Sequence, residues 1–187
     1  IIKYNTIVDG TKRILDFAVK CKCEKFLLTS SGSCYGKQPP KILNISESYE
    51  GAPLTNNQNF DHTVLGEAKR ISEVFTSIYS QKYKIETKIA RCFSFVGPYM
   101  PLNIHYAIGN FIYDIVNGDS INIKGDGSHF RSYMYIADLV VWLLTILFNG
   151  KNNEIYNVGS EDSISIFELA KIVSKTSSKK IKINIQN

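Results

Sequence analysis

The stretch Phe26-Leu27-Leu28-Thr29-Ser30-Ser31-Gly32-Ser33-Cys34-Tyr35-Gly36 decides the fold. It is a short apolar run that ends in a cluster of hydroxyls and a glycine, which reads as a buried strand over 25 to 30 entering a polar turn. Working outward, Val64, Ala68, Ile71, Phe75 and Ile78 recur at spacings of three and four, the period of a helix with one buried face, over 62 to 82. Glu86-Thr87-Lys88-Ile89-Ala90-Arg91-Cys92 then reads as a second strand. Strand, helix and strand in that order form a parallel crossover, so the class is α/β.

The rest of the chain continues the alternation. Residues 5 to 20 read as a helix ahead of the first strand. After Gly97-Pro98 the pattern predicts a helix near 105 to 117, a strand at 121 to 124, a glycine turn at Gly125-Asp126-Gly127, and a strand at 131 to 136. A helix at 137 to 149, a strand at 154 to 157, a helix at 165 to 176 and a strand at 181 to 185 follow. Two predicted strands flank the glycine turn, so it reads as a hairpin and not as a phosphate cradle.

The chemistry sits where the first strand meets the second helix. Lys69 projects from nearly the same helix face as Leu65, four residues earlier. Beside a hydroxyl cluster, an ammonium can hold a ribose and lower the pKa of a neighbouring acid, while Ser31 hydrogen-bonds a reacting oxygen. That is a hydride-transfer site in outline. Serine turns and helical lysines are common, however, and these residues alone leave open a plain turn with a solvated lysine.

Six segments in register narrow the choice. They are Tyr4 to Thr11, Thr29 to Gly36, Gly66-Glu67-Ala68-Lys69-Arg70 with Glu73, Arg91 to Pro98, Gly125-Asp126-Gly127 with Arg131 and Asp138, and Tyr156-Asn157-Val158-Gly159-Ser160. In order and spacing the chain resembles the extended short-chain dehydrogenase/reductase family, the NAD-dependent nucleotide-sugar epimerases and dehydratases. The resemblance implies a partial Rossmann-type parallel sheet, its C-terminal half, over 1–98, and a small α/β substrate-binding region over 99–187 with some segments free to return to the sheet.

The resemblance also assigns roles. Ser31 falls on the hydroxyl that orients the sugar oxygen, and Lys69 on the lysine that grips the nicotinamide ribose. Thr29, Ser30 and Phe93 fall in segments that pass the NAD cofactor. Ser94 replaces an asparagine that meets the sugar nucleotide, and Arg131 falls on an arginine that binds the nucleotide diphosphate, a task suited to a planar fork of donors. Family enzymes commonly pair through the helix of Lys69 and the one before it, which implies a homodimer.

Departures from the pattern matter as much. Leu65 stands at the family's catalytic tyrosine, and an aliphatic side chain can neither donate nor accept a proton. Gly32 and Ser33 stand where 4,6-dehydratases carry Asp-Glu, so the turn is closer to that of epimerases, decarboxylases or 4-ketoreductases. Glu67, two residues past Leu65, points about 200° away around the helix. Ser132 stands where aspartate usually follows the arginine. A dinucleotide fold also needs a strand, a glycine-rich turn and a helix N-terminus for the pyrophosphate. None is read here, and roughly 90 further residues would supply that half.

Composition excludes other classes. The 187 residues are 44% hydrophobic and 12% aromatic, enough to bury a sizeable core. No apolar run reaches the roughly 18 residues of a membrane span, and no signal-peptide pattern opens the chain, which predicts a cytoplasmic protein. The net charge of +5 is spread over scattered lysines without a nucleic-acid motif. Cys21, Cys23, Cys34 and Cys92 form no C-x-x-C pair, and His62, His105 and His129 have no ligand spacing, so no metal is expected. Three readings remain: an NAD-dependent nucleotide-sugar epimerase/dehydratase-like protein, a silent sugar-nucleotide- or partner-binding domain, and an α/β module without such a site.

Overall fold

The computed structural model describes residues 1–39, 41–56, 60–104 and 106–186. They divide into two compact units: Ile1–Phe93 with Leu139–Val158, and Ser94–Asp138 with Gly159–Asn187.

The first unit is built on three parallel strands, β1 (Lys25–Ser31), β2 (Glu86–Cys92) and β7 (Glu154–Val158), in the order β1-β2-β7. Ser31 pairs with Cys92, and Cys92 in turn with Val158, so the three carboxyl ends are level. As the middle strand, β2 is buried on both faces through Thr87, Lys88, Ile89, Ala90 and Arg91, which is why its sequence does not alternate cleanly. The charged Lys88 is tolerated there because its ammonium reaches the Glu86 carboxylate at the strand's start. Helix α1 (Ile2–Lys20) packs against α2 (Phe60–Tyr83), burying Leu15 and Ala18. Tyr79 on α2 donates to Asp16 on α1. α2 lies on the sheet through β1 and β2, and ends where Lys84 takes a left-handed conformation at φ 60°.

Helix α4 (Ile136–Asn149) buries Ile146, yet Val140, Val141, Leu144 and Phe148 remain exposed. Their spacing of one, three and four places these four on one face. β1 has a strand partner on one side only among the described residues.

The second unit holds β3 (Phe95–Val96), α3 (Ala107–Asn117), β4 (Ser120–Lys124), β5 (Phe130–Ser132), β6 (Met134–Tyr135), β8 (Ser163–Ser165), α5 (Ile166–Thr176) and β9 (Lys182–Gln186). Its core is Phe111, Ile121, Ile123, Leu169, Ala170 and Val173. Ser165 caps α5 by accepting the Glu168 N–H. Of the helix expected near 105 to 117, His105 lies outside the described residues, and α3 starts at Ala107 after Tyr106.

Two expectations are corrected here. Gly125-Asp126-Gly127 does not close a hairpin: β4 pairs in parallel with β9, whereas β5 pairs antiparallel with β8. Gly125 and Gly127 both take positive φ, at 78° and 72°, and the tripeptide's backbone is claimed by other elements. The Gly125 N–H donates to Gln186 O, and Gly127 O accepts from Phe167 N–H, so the flanking strands are drawn apart. For the same reason the strand expected over 131 to 136 is two short pieces, β5 and β6, with partners in different sheets.

Candidate functional site

At the carboxyl end of β1 the chain turns into a 3-10 segment, Gly32–Tyr35. Ser31 caps it: its Oγ accepts the Ser33 N–H at 3.1 Å and lies 3.1 Å from the Ser33 hydroxyl. Gly36 leaves the turn at φ 70°, with the Ala52 carbonyl where a Cβ would stand, so the position admits only glycine. Gly32 is pressed by Phe93, whose ring would lie 2.7 Å from an added Cβ. Phe93 also stacks on Tyr35, with ring centroids 6.4 Å apart.

Helix α2 meets this turn along one row of side chains. Lys69 Nζ donates to the Thr29 carbonyl at 2.7 Å, which fixes an ammonium beside the strand end that carries Ser31. Burial pushes the Lys69 pKa down, against the opposing pull of Cys34, Cys92 and Glu73. Leu65, one turn earlier, is part-buried and brings no polar atom. Arg70 donates to the carbonyls of Gly51 at 3.0 Å and Cys34 at 3.4 Å.

Behind the turn lies a buried polar cluster to which the sequence reading gave no role. The Glu73 carboxylate accepts from Ser30 Oγ at 2.5 Å, from Arg91 Nε at 3.0 Å and from a terminal Arg91 nitrogen at 2.6 Å. Cys34 Sγ lies 3.4 Å from the same carboxylate, and burial, reinforced by that charge, pushes its thiol up to about 11. Burial works against the charge on Arg91, but the Glu73 hydrogen bonds outweigh it and hold the guanidinium protonated. The guanidinium sits 4.5 Å over the Tyr35 ring, and Tyr35 donates to Asn157 Oδ1 on β7 at 2.8 Å. A signal for this pair was present: an acid on the buried face of a helix, and a second base besides Lys88 inside a buried strand, each need a partner of opposite charge.

Among the expected site residues, Thr29, Ser30, Ser31, Leu65, Lys69 and Phe93 all belong to the first unit. The Ser30 hydroxyl donates its proton to Glu73, so it has no donor left for a ligand. Ser94 and Arg131 belong to the second unit. There the Ser94 carbonyl accepts the Met134 N–H, and Arg131 is exposed on β5 with one guanidinium nitrogen 2.7 Å from the Phe130 carbonyl. No group of acidic, histidine and cysteine residues able to hold a metal occurs among the described residues, and no helix in them is long and apolar enough to cross a membrane.

A profile of the NAD dependent epimerase/dehydratase family matches residues 3–159. The chain belongs to that family. Among curated relatives it is 30% identical to UDP-glucuronic acid decarboxylase 4 of Arabidopsis thaliana, over 99% of this chain and 40% of the relative. It is also 30% identical to UDP-glucuronic acid decarboxylase 3 of the same plant, over 98% of this chain and 51% of the relative. The chain thus spans about half or less of the length of these relatives. Among solved structures, UDP-N-acetylglucosamine 4-epimerase from Methanobrevibacter ruminantium, in complex with UDP-N-acetylmuramic acid, superposes with a TM-score of 0.87 at 23% identity, covering 100% of this chain and 57% of that one. UDP-glucuronic acid 4-epimerase from Bacillus cereus, in complex with NAD, superposes at 0.79 and 24% identity, covering 94% and 54%. The fold is that of the family's Rossmann-type enzymes, present in part.

The residues fit one end of NAD. Lys69 and the Thr29 backbone offer an ammonium and a strand end to a ribose, with Phe93 as an apolar wall. The pyrophosphate end finds no strand, glycine turn and helix among the described residues: Gly125 and Gly127 lie between β4 and β5, and the Gly125 N–H is already given to Gln186.

Proposed function

We propose that this chain carries the sugar-reaction end of an NAD-dependent nucleotide-sugar enzyme that acts by hydride transfer at the sugar C4, and that it works as part of a larger unit. The observation that carries this reading is the Lys69 ammonium held 2.7 Å from the Thr29 carbonyl, at the strand end bearing Ser31. NAD, when bound, supplies the hydride acceptor. In this reading Ser31 orients the sugar oxygen, Lys69 holds the nicotinamide ribose, and Thr29 and Phe93 flank the cofactor. Ser94 and Arg131 serve the sugar nucleotide. The UDP and dTDP sugars named for relatives and neighbours favour a pyrimidine nucleoside diphosphate sugar as the ligand class.

Two features support a larger working unit. Among the described residues the α4 face of Val140, Val141, Leu144 and Phe148 is uncovered and β1 has a strand neighbour on one side only; both are liabilities that a further strand and helix layer would remove. Exposed Ile14 and Phe17 on α1, with Val74 and Ile78 on α2, support a homodimer through those two helices.

Leu65 favours a second reading, a sugar-nucleotide-binding or partner-binding domain without turnover, because no proton-transfer group stands at that position. Calorimetric titration tests the ligand that the first reading and the sugar-nucleotide form of the second share. We expect UDP-sugars to bind the chain while NAD gives no saturable heat below about millimolar concentration, the range left when only one end of a ligand is held. Micromolar NAD binding refutes the need for a larger unit, and absence of any sugar-nucleotide binding refutes the first reading and leaves only the partner-binding form of the second.

A further inference from the structure

Glu73 and Arg91 do more than close a buried charge. Their side chains are only 8% and 9% exposed, and a buried ion pair stabilises little more than apolar residues of the same volume, although breaking one is costly. What such a pair confers is registry. The two carboxylate oxygens of Glu73 collect donors from β1 (Ser30), from the 3-10 turn (Cys34) and from β2 (Arg91, twice). Each donor comes from a different place in the chain, so one axial position of α2 satisfies them all.

That position also sets the candidate site. Gly66, Arg70 and Glu73 follow one another at spacings of four and three, on one face of α2, and each meets the turn. Gly66 lies against the Ser33 carbonyl, Arg70 donates to the Cys34 carbonyl, and Glu73 takes Ser30 and Cys34. Lys69 stands in the same row, four residues before Glu73. A slip of α2 by one turn, about 5.4 Å, breaks every one of these contacts and carries Lys69 away from Thr29. On the other side, Arg91 extends the network through the Tyr35 ring to Asn157, whose Nδ2 donates to Ile45 O and whose backbone N–H donates to Glu47. The loop that follows the turn is thereby tied to β7.

We infer that Glu73 and Arg91 are positioning residues: the pair sets the axial register of α2 on the sheet and thereby holds the Lys69 ammonium at Thr29 and the Ser31 turn in place. The inference rests on the site reading above, but its test needs no turnover. Glu73→Gln keeps the shape and removes the charge; Ile89→Val is a lesion in β2 that leaves the pair intact. Lys69 acylation by an amine-reactive ester, followed by peptide mass spectrometry, reports the Lys69–Thr29 contact. Amide exchange at Ser33 and Gly36 reports the turn. Positioning requires both rates to rise in Glu73→Gln by about tenfold over Ile89→Val at equal thermal stability, the signature of a local opening. Rates within about twofold of that control overturn the inference. The native chain supplies a second measurement if Glu73→Gln does not fold: the Ser33 and Gly36 amides must exchange together with the α2 amides around Glu73. Turn exchange about tenfold faster than α2 exchange overturns it equally. Because neither rate depends on ligand, a failure of sugar-nucleotide binding leaves this result standing, and the reverse holds as well.

Discussion

Gly66→Ala gives opposite answers according to whether α2 is considered alone or on its turn. Alone, a mid-helix glycine costs about 1 kcal/mol relative to alanine, so the substitution stabilises. On the turn, the new Cβ lands 2.5 Å from the Ser33 carbonyl oxygen and 2.5 Å from Pro53 Cγ. The first is backbone, held by the Gly36 N–H at 3.2 Å, and cannot swing aside. Overpacking of this kind costs about 1–3 kcal/mol, more than the helix gains, so we expect net destabilisation of about 1 kcal/mol. For a chain of this size that lowers Tm by about 2–4 °C. Gly10→Ala in α1 is the matched control, since no atom lies within 4 Å of its Cβ, and it should raise stability by about 0.5–1 kcal/mol. Scanning calorimetry of the three proteins measures both shifts. If Gly66→Ala is as stable as Gly10→Ala, α2 does not press on the turn and the packing of the candidate site is wrong.

Further predictions concern acid, charge and association. Burial and Glu73 keep the Cys34 thiol protonated in the folded chain up to about 11, so the unfolded chain releases this proton first and stability should fall as pH rises from about 9 towards that value. Urea unfolding across that range should show the fall, and Cys34→Ala should flatten it; an equal slope in both proteins refutes the assignment. Leu65→Tyr places a phenol one turn before the Lys69 ammonium, and difference absorbance titration should find it ionising below the ~10 of a free phenol. An ordinary value there would mean that Lys69 cannot activate an acid at this position. Leu144→Glu on α4 should reduce aggregation, and Phe17→Glu on α1 should lower the dimer fraction in sedimentation; a wild-type chain that stays monomeric when concentrated contradicts both.

Much of the local structure was legible because it is written in local terms. The period of Val64, Ala68, Ile71, Phe75 and Ile78 marks α2, the apolar run before Thr29 marks β1, and strand–helix–strand order implies the parallel pairing of β1 with β2. Local signals also bring Lys69 to the end of the strand that carries Ser31. That the residue one turn before Lys69 is the aliphatic Leu65 needs no structure to be seen. What tertiary structure alone decided involves partners far apart in sequence. The glycines of Gly125-Asp126-Gly127 look the same in a hairpin as in a diverging turn; β9 and β8, some thirty to sixty residues away in the pairing registers, settle which one forms. Gly10 and Gly66 are alike as helix glycines, and only the Ser33 carbonyl and Pro53 make a side chain costly at one of them. Glu73 and Arg91 are each an anomaly in a buried segment. Their pairing across two elements, with Tyr35 and Asn157 beyond, exists only once the sheet has brought those segments together, because a buried charge finds its partner through space and not along the chain.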